Sequence, residues 1–527
     1  MSFILVIALL LRTIVDQDFI NQELGSIVGI AYATLLICLG YSRYSKSHPL
    51  APTYVTCALL IMFSILLETH SRGFIPVWLA YAALGLTLIV STVLGVRHSA
   101  SIPLWVGVLG SSLVGIALEF PSPHYPQLMI LLLVANASVY IGSKVSIWLG
   151  LRWTLFAISL FVWHLWTVQL RTLLLRGREI PEELALNWFL PLLGAFALVY
   201  AGMVIRTLMG RRRAFRSFEK YIPLANVLWA YAAAVAVVRP WLGEHSGLAP
   251  AALALGVVQI VFGIWISHFG PKGKQGGISF TIAGAVLFVL SSEKAMGTPF
   301  IYLPVWSLMA LGMTYLSVQI NNRTVRTCGY LLQALTLGIA IQQGCFTIGE
   351  SLKLVAVCLA IFVSSISLIQ YFWCRWEAEA PNNGMAGLMD PKDRSAVVLL
   401  VTSLVSLFLG FRLILHAGAT ALPGDTESLF QSGQTLLIAG SSIFLLLVAL
   451  RWRDIEFLSI ALIVALVAGI KVFGVDTVHA RGIPLVLSVL SFAICASVAS
   501  LVWGRWQRLP QEEGAITQPS LDKGSPV

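Results

Sequence analysis

The chain has 527 residues and a formal net charge of +10, yet only 11% of its residues are charged and 58% are hydrophobic. A soluble domain carries about 25% charged residues, so a water-soluble fold could not hide this much apolar surface, and lipid must be the solvent for much of the chain. In a soluble protein the positive charge would suggest nucleic acid. Here basic residues at the cytoplasmic ends of membrane helices account for it, and no nucleic-acid partner is expected.

Eighteen apolar runs are long enough, or nearly so, to cross a bilayer about 30 Å thick, which needs about 20 helical residues. The first run, 3–15, is short, so seventeen spans is the alternative. It lacks a basic start and a small-residue cleavage site, and we expect a retained helix there rather than a signal peptide. The predicted runs are 3–15, 25–41, 51–69, 75–96, 101–119, 126–147, 151–169, 187–208, 221–239, 248–268, 277–293, 299–319, 326–343, 352–375, 395–416, 433–450, 455–473 and 483–505.

Basic residues concentrate at alternate ends of successive runs. If the amino terminus is cytoplasmic and every run crosses, 23 of the 34 Lys and Arg residues fall on the cytoplasmic side and 11 on the outer side. The strongest concentration is 206–220, with six basic residues in fifteen. The positive-inside rule therefore predicts that both termini are cytoplasmic.

The connections between the runs are too short for a folded soluble domain, so one polytopic transmembrane domain over 1–508 is predicted. The longest cytoplasmic connection, 376–394, has the Pro, Asn and Gly content of a linker. The polar stretch 509–527 is predicted to be a disordered cytoplasmic tail. Similar segments at 76–87 and 304–314 suggest duplication of a unit about 228 residues long, although chance similarity between apolar segments explains them nearly as well.

Residues that could carry chemistry are sparse. The seven cysteines form no CxxC pair and the nine histidines form no pair at the spacing of a metal site. Neither a disulfide framework, a metal site nor a cofactor is therefore predicted, and no catalytic residue is assigned. Positions near the span centres hold amides, namely Asn136, Gln259 and Gln333, which commonly bond between membrane helices.

Charges of both signs collect at the predicted outer ends of the helices. One interpretation is snorkelling side chains and surface ion pairs. The other is a polar vestibule that faces outward between helices. The vestibule candidates are Arg412, Lys471, Asp476, Glu293 and Lys294.

Four runs carry a resemblance to a known family. They are LGSIVGIAYATLLICLGYSRYSKSHPLAPTYVTCALLIMFSIL, IPVWLAYAALGLTLIVSTVLGVRHSASIPLWVGVLGS, YPQLMILLLVANASVYIGSKVSIWLGLRW and the closing RWRDIEFLSIALIVALVAGIKVFGVDT. The last of them places Lys471 and Asp476 at a recurring Lys and Asp. They resemble the bacterial predicted membrane proteins grouped as domain of unknown function 2339, and the resemblance spans most of 4–508. It implies an all-helical fold and a bacterial inner-membrane location, and it supplies no catalytic residues. Longer members carry an N-terminal coiled-coil segment, whereas this chain begins directly in the helical region.

These patterns predict an all-α polytopic transmembrane helix bundle of 17 or 18 helices with no soluble domain. We expect a non-enzymatic permease-like or lipid-handling protein. Its expected partners are membrane lipid and other proteins of a membrane complex, and its small-molecule substrate stays open. The alternative is a structural or accessory subunit of a cell-envelope complex. A third hypothesis is a membrane glycosyl- or acyltransferase that uses Asp16 and Asp18, because paired carboxylates suit metal or general-base chemistry.

Overall fold

The described part of the chain is helical throughout its regular structure. It forms sixteen helices long and apolar enough to cross a membrane and one shorter apolar helix, Ser101–Ala117. The predicted all-α polytopic bundle is confirmed, since each predicted run from 25–41 onward coincides with one of these helices. The run 3–15, the pair Asp16 and Asp18, and the tail 509–527 lie outside the described residues. The computed structural model describes residues 22–119, 123–142, 149–209, 216–243, 247–348, 354–377, 381, 385–390, 392–421, 426–479 and 482–508.

The chain divides into two compact units, Met1–Ala295 and Met296–Val527. The first unit contains the helices that run up to the boundary near residue 296. They are α1 (Gln22–Ser45), α2 (Ala51–Ser71), α3 (Val77–Arg97), α4 (Ser101–Ala117), α5 (Tyr125–Gly142), α6 (Leu149–Leu175), α7 (Leu186–Met209), α8 (Ser217–Leu242), α9 (Leu248–Ser267) and α10 (Gly270–Met296).

Aromatic side chains form the centre of the first unit. Trp163 and Trp166 of α6 are buried, and their rings stack with centroids 5.3 Å apart. Phe189 packs edge-on against both indoles, and the Trp166 Nε1–H donates to the Leu184 carbonyl at 3.0 Å. Lipid tails are as apolar as these side chains, so close packing and satisfied polar groups, rather than escape from water, hold such helices together.

Helices α9 and α10 approach each other through glycines. A Cβ atom on Gly256 would lie 2.9 Å from the Gly284 carbonyl oxygen, and one on Gly263 would lie 2.8 Å from the Gly277 carbonyl oxygen. Each helix therefore carries two glycines seven residues apart, which is the spacing that keeps them on one face of a helix. The absence of side chains at these four positions lets the two backbones touch.

The second unit contains the remaining helices and two π-turns. The π-turns are Trp373–Glu377 and Val472–Asp476, and each continues the helix before it. The helices are α11 (Pro299–Ile320), α12 (Arg323–Gln342), α13 (Leu354–Phe372), α14 (Met385–Met389), α15 (Val397–Ala421), α16 (Thr426–Trp452), α17 (Ile455–Lys471), α18 (Thr477–His479) and α19 (Ile483–Arg508).

The amides near the span centres behave largely as interhelical links. Asn136 donates to Ser159 at 3.0 Å and accepts from the Tyr200 hydroxyl at 2.9 Å. Gln333 donates to the Val363 carbonyl at 3.1 Å and accepts from a serine of α11 at 2.9 Å. The interhelical role expected from the sequence is confirmed for these two residues.

The two similar segments occupy different positions in their helices. Pro76 is the N-cap of α3, whereas Pro304 lies inside α11, which begins at Pro299. The duplication stays a prediction.

Candidate functional site

The first unit contains a groove between α6, α8 and α10, with a cavity volume of about 760 Å³. Its lining is mostly aliphatic, with two arginines and one tyrosine. Leu175, Leu228 and Leu290 are exposed on its walls, so the groove is open to its surroundings. We call it the α6–α8–α10 groove. The residues that line it are Arg171, Leu175, Leu228, Tyr231, Ala232, Val235, Ala236, Arg239, Pro240, Gly243 and Leu290.

The sequence of α8 explains the shape of this groove. The lining positions of α8 recur every three or four residues, which places them in one stripe along the helix. Ala232 and Ala236 lie in the middle of the stripe, and their small side chains leave the space that a leucine would fill. From Leu228 to Arg239 the stripe rises about 16 Å, at about 1.5 Å per residue. Half of a hydrocarbon core about 30 Å thick is about 15 Å. The groove is therefore about one leaflet long.

Among the described lining residues, the two charged ones lie toward one end of the groove. Arg171 lies in the last two turns of α6, and Arg239 lies in the last turn of α8, just before Pro240. Both arginine residues are exposed. A guanidinium is a planar fork of donors that suits carboxylate and phosphate oxygens. The groove thus combines an apolar length with two arginines toward one end.

Tyr231 ties the groove to α10. Its hydroxyl donates to the Leu290 carbonyl at 3.3 Å. The predicted site residues Glu293 and Lys294 follow Leu290 within about a turn, near the end of α10, and both are exposed. Glu293 interacts electrostatically with Tyr231. Two of the five vestibule candidates therefore lie beside the groove, although the groove lining does not include them.

Lys471 and Asp476 meet in the second unit as a closed ion pair. Lys471 Nζ lies 2.6 Å from Asp476 Oδ1, and it also donates to the Thr435 hydroxyl at 2.7 Å and the Gln431 carbonyl at 2.8 Å. Thr435 donates in turn to the second oxygen of Asp476. The carboxylate is fully buried. Each charge is neutralised within this cluster.

Arg412 lies near the same end of α16. Its guanidinium carbon stands 5.8 Å from the ring centroid of Phe430, which adjoins Gln431 in the chain. Such cation–π contacts stabilise an arginine by about 0.5–1 kcal/mol at exposed sites. Three vestibule candidates, Arg412, Lys471 and Asp476, thus lie around one end of α16. The vestibule itself stays a prediction.

A second buried cluster lies at the opposite ends of the helices and was missed by sequence reasoning. Arg323 and Arg326 of α12 are fully buried. They share Asp393, whose carboxylate oxygens lie 3.1 Å from Arg323 Nη2 and 2.9 Å from Arg326 Nη2. The Tyr330 hydroxyl also donates to Asp393, at 3.0 Å. In the sequence these residues belong to predicted cytoplasmic loops, whose basic residues the positive-inside rule explains. The sequence therefore does not indicate that they are buried.

The cluster continues through Arg375 in the first π-turn. Arg375 pairs with Glu456 and donates to the Asp393 carbonyl at 3.0 Å. Asp390 lies 3.7 Å from Arg323. Burial opposes ionisation of Asp390, but the N–H groups of Ser395 and Arg394 and the nearby guanidinium outweigh it, so its pKa is lowered. With three arginines and three carboxylates, the cluster balances its own charge and favours no added anion.

Part of the predicted linker 376–394 is therefore held firmly in place. Asp393 adopts a left-handed backbone conformation with φ of 55°, which is uncommon for a residue with a side chain. The buried arginines explain why this conformation persists, because the carboxylate forms ion pairs with both of them and accepts a hydrogen bond from Tyr330. Among the described residues, no group of three or more His, Cys, Asp or Glu side chains could hold a metal ion.

Comparison with known proteins identifies no relative of this chain. No protein-family model matches it. No curated protein and no solved structure matches it either. The resemblance to the family of domain of unknown function 2339 stays a prediction.

Proposed function

We propose that this protein is a non-enzymatic, lipid-handling membrane protein that takes a lipid chain into the α6–α8–α10 groove. The observation that carries the proposal is the groove itself. It is open, about 760 Å³ in volume, apolar along its length and about as long as one leaflet is deep.

The composition of the groove supports a lipid over a water-soluble substrate. Ligand sites for polar molecules present several convergent polar groups, which fix the orientation of the ligand. Here the wall between Leu228 and Ala236 offers one hydroxyl, that of Tyr231, and this hydroxyl is bonded to the Leu290 carbonyl. A hydrocarbon chain is the occupant that this wall suits.

The lining also supports binding over a transfer reaction. As the structure describes it, the groove is lined by no carboxylate, histidine, serine or cysteine. A transferase needs a base, a nucleophile or a metal ligand within reach of the reacting atoms. The arginines can bind and orient an anion, but they do not supply a general base at neutral pH.

The proposal is tested by filling the groove. Ala236→Trp places an indole in the middle of the stripe, while Ala254→Trp on α9 places one on an exposed position away from the groove. A phospholipid with a photoactivatable group on its chain is crosslinked to the full-length protein in bilayer nanodiscs. Labelled peptides are then mapped by mass spectrometry.

We expect wild type and Ala254→Trp to be labelled on the groove-facing peptides of α8, and Ala236→Trp to lose this labelling. Equal labelling in all three proteins would show that the groove is no lipid site. In that case the alternative, an accessory subunit of an envelope complex, becomes the better hypothesis.

A further inference from the structure

We propose that Gln431, Thr435 and Asp476 form a binding site for a primary ammonium group, and that the Lys471 side chain is its resident ligand. The site lies in the second unit, at the predicted outer end of α16, where this helix is bonded to the π-turn Val472–Asp476. The α6–α8–α10 groove belongs to the first unit. The inference therefore stands or fails independently of the lipid-handling function.

Three oxygen atoms of different kinds surround the Lys471 ammonium. They are an Asp476 carboxylate oxygen at 2.6 Å, the Thr435 hydroxyl at 2.7 Å and the Gln431 backbone carbonyl at 2.8 Å. We call them the oxygen cage. A primary ammonium has three N–H donors and no acceptor. The number of oxygens in the cage therefore matches the number of donors that this group offers.

The Thr435 hydroxyl is oriented by the same carboxylate. A hydroxyl has one proton, and Thr435 donates it to the second oxygen of Asp476, while the Gln431 carbonyl lies farther away, at 3.4 Å. The lone pairs of Thr435 therefore remain available to accept a hydrogen bond from a cation. All three oxygens of the cage act as acceptors toward the same point.

Burial and size determine which cation the cage accepts. The Asp476 carboxylate is fully buried, and a buried carboxylate without a counter-charge is strongly unfavourable, so the cage needs a cation. Oxygen ligands bind Mg²⁺ at about 2.0–2.1 Å and Ca²⁺ at about 2.3–2.6 Å, with about six to eight ligands for Ca²⁺. Three oxygens at 2.6–2.8 Å and one negative charge suit neither ion. A primary ammonium satisfies both the charge and the three acceptors.

An ordinary ion pair is the competing explanation. It accounts for the contact between Lys471 and Asp476, because a pair needs only its two charges. It does not account for the two further acceptors of α16, which use the remaining donors of the ammonium. In the wild-type chain the amine is attached five residues before Asp476, so it acts at a high effective concentration and excludes free amines.

Chemical rescue of the full-length protein tests the site. Lys471→Met keeps an apolar stem that ends one atom short of Nζ, so the cage is left open. Melting temperatures in detergent are measured for wild type, Lys471→Met and Lys471→Met/Thr435→Val at one chloride concentration. The cation is methylammonium, potassium or tetramethylammonium. Tetramethylammonium carries the same charge without an N–H donor, so it is the matched control for ionic strength.

We expect methylammonium to raise the melting temperature of Lys471→Met by about 2–4 °C relative to tetramethylammonium, with a rise that levels off as a single site fills. Wild type should not respond, because its own amine fills the cage. Lys471→Met/Thr435→Val keeps the carboxylate but lacks one oxygen of the cage, and it should respond less.

Three results would overturn the inference. Equal melting temperatures of Lys471→Met in methylammonium and tetramethylammonium would show that the cage binds no amine. An equal rise with potassium would show that charge alone is recognised, and an equal rise in wild type would place the bound amine elsewhere.

A second variant decides the question if Lys471→Met does not fold. Lys471→Ala lacks the whole stem, and propylammonium supplies the missing atoms. Membranes are solubilised with propylammonium or with tetramethylammonium, and we expect folded protein only with propylammonium. Failure of this variant to fold in propylammonium would also overturn the inference.

Discussion

Lys471 and Asp476 lie five residues apart and form an ion pair of 2.6 Å because a π-turn, Val472–Asp476, separates them. In a regular α-helix the partners of a residue on the same face are three or four residues away. A π-turn joins residues five apart, so it brings these two side chains together. The pair is thus created by a local change of helix geometry.

Removal of one member of this pair should be strongly destabilising. Asp476→Asn leaves the Lys471 ammonium without its counter-charge, and we expect a loss of about 3–5 kcal/mol in the free energy of unfolding. The double variant Lys471→Met/Asp476→Leu should recover most of the loss, because an apolar pair needs no counter-charge. Unfolding in detergent measures both effects, and the single variants Lys471→Met and Asp476→Leu complete the double-mutant cycle. Additive effects of the two sites would contradict the pairing.

In the second buried cluster, Asp393 should contribute more to the free energy of unfolding than Asp390. Asp393→Asn removes the charge shared by two fully buried arginines, and we expect a loss of about 3–5 kcal/mol. Asp390 is 23% exposed in its side chain and stands 3.7 Å from Arg323, so Asp390→Asn should cost about 1 kcal/mol. Chemical unfolding of the two variants gives the order. Equal losses in the free energy of unfolding would show that the backbone, and not the shared carboxylate of Asp393, holds the segment around these residues.

Glu119 should make stability depend on pH. Burial raises its pKa, although the Tyr81 hydroxyl and the His124 backbone N–H, both of which hydrogen-bond to it, act in the opposite direction. The folded state therefore favours the protonated acid. This contribution to the free energy of unfolding is fully present below the ordinary glutamate pKa of about 4.3. It is lost as the pH rises through the raised pKa of Glu119.

The variant Glu119→Gln cannot lose a proton, so its melting temperature should fall less than that of wild type as pH rises through this window. Glu68→Gln, at another predicted outer helix end, should follow the wild-type curve because it leaves Glu119 in place. Melting curves in detergent across the acidic to neutral range supply the test. Parallel curves for wild type and Glu119→Gln would contradict the raised pKa.

The contact between α9 and α10 predicts opposite effects of the same substitution at two glycines. Gly263→Ala would place a Cβ 2.8 Å from the Gly277 carbonyl oxygen, and we expect it to destabilise the protein by about 1–3 kcal/mol. Gly202→Ala on α7 meets nothing within 4 Å, and we expect it to stabilise the protein by about 0.5–1 kcal/mol. Melting temperatures of the two variants test this. Destabilisation by both would mean that helix contact is not the cause.

The helices could be predicted from the sequence because each span must be apolar for about 20 residues and must satisfy its backbone internally. The charged clusters could not. Asp393 lies 67 residues after Arg326 in the chain, with α13 between them, and no sequence periodicity indicates such a contact. The charges of Lys471 and Asp476 are evident in the sequence, but their spacing of five does not place them on one face of a regular α-helix.

The groove is the feature that the sequence indicates least. It depends on the space that the small side chains of Ala232 and Ala236 leave beside α8, and alanine is common in apolar helices. The two arginines at its end were part of a general excess of charge at helix ends. Only the placement of α6 beside α8 distinguishes Arg171 and Arg239 from the other arginines of the predicted outer side.

The hydrogen bond from Tyr231 to Leu290 fixes the distance between α8 and α10 beside the groove. At 3.3 Å it is a long bond, and Leu287 of α10 also packs in one cluster with Val227 of α8. Tyr231 is the largest α8 side chain in the groove lining, so it limits the width available to a hydrocarbon chain. Straight chains and branched or kinked chains differ mainly in width, so discrimination between them would reside at Tyr231.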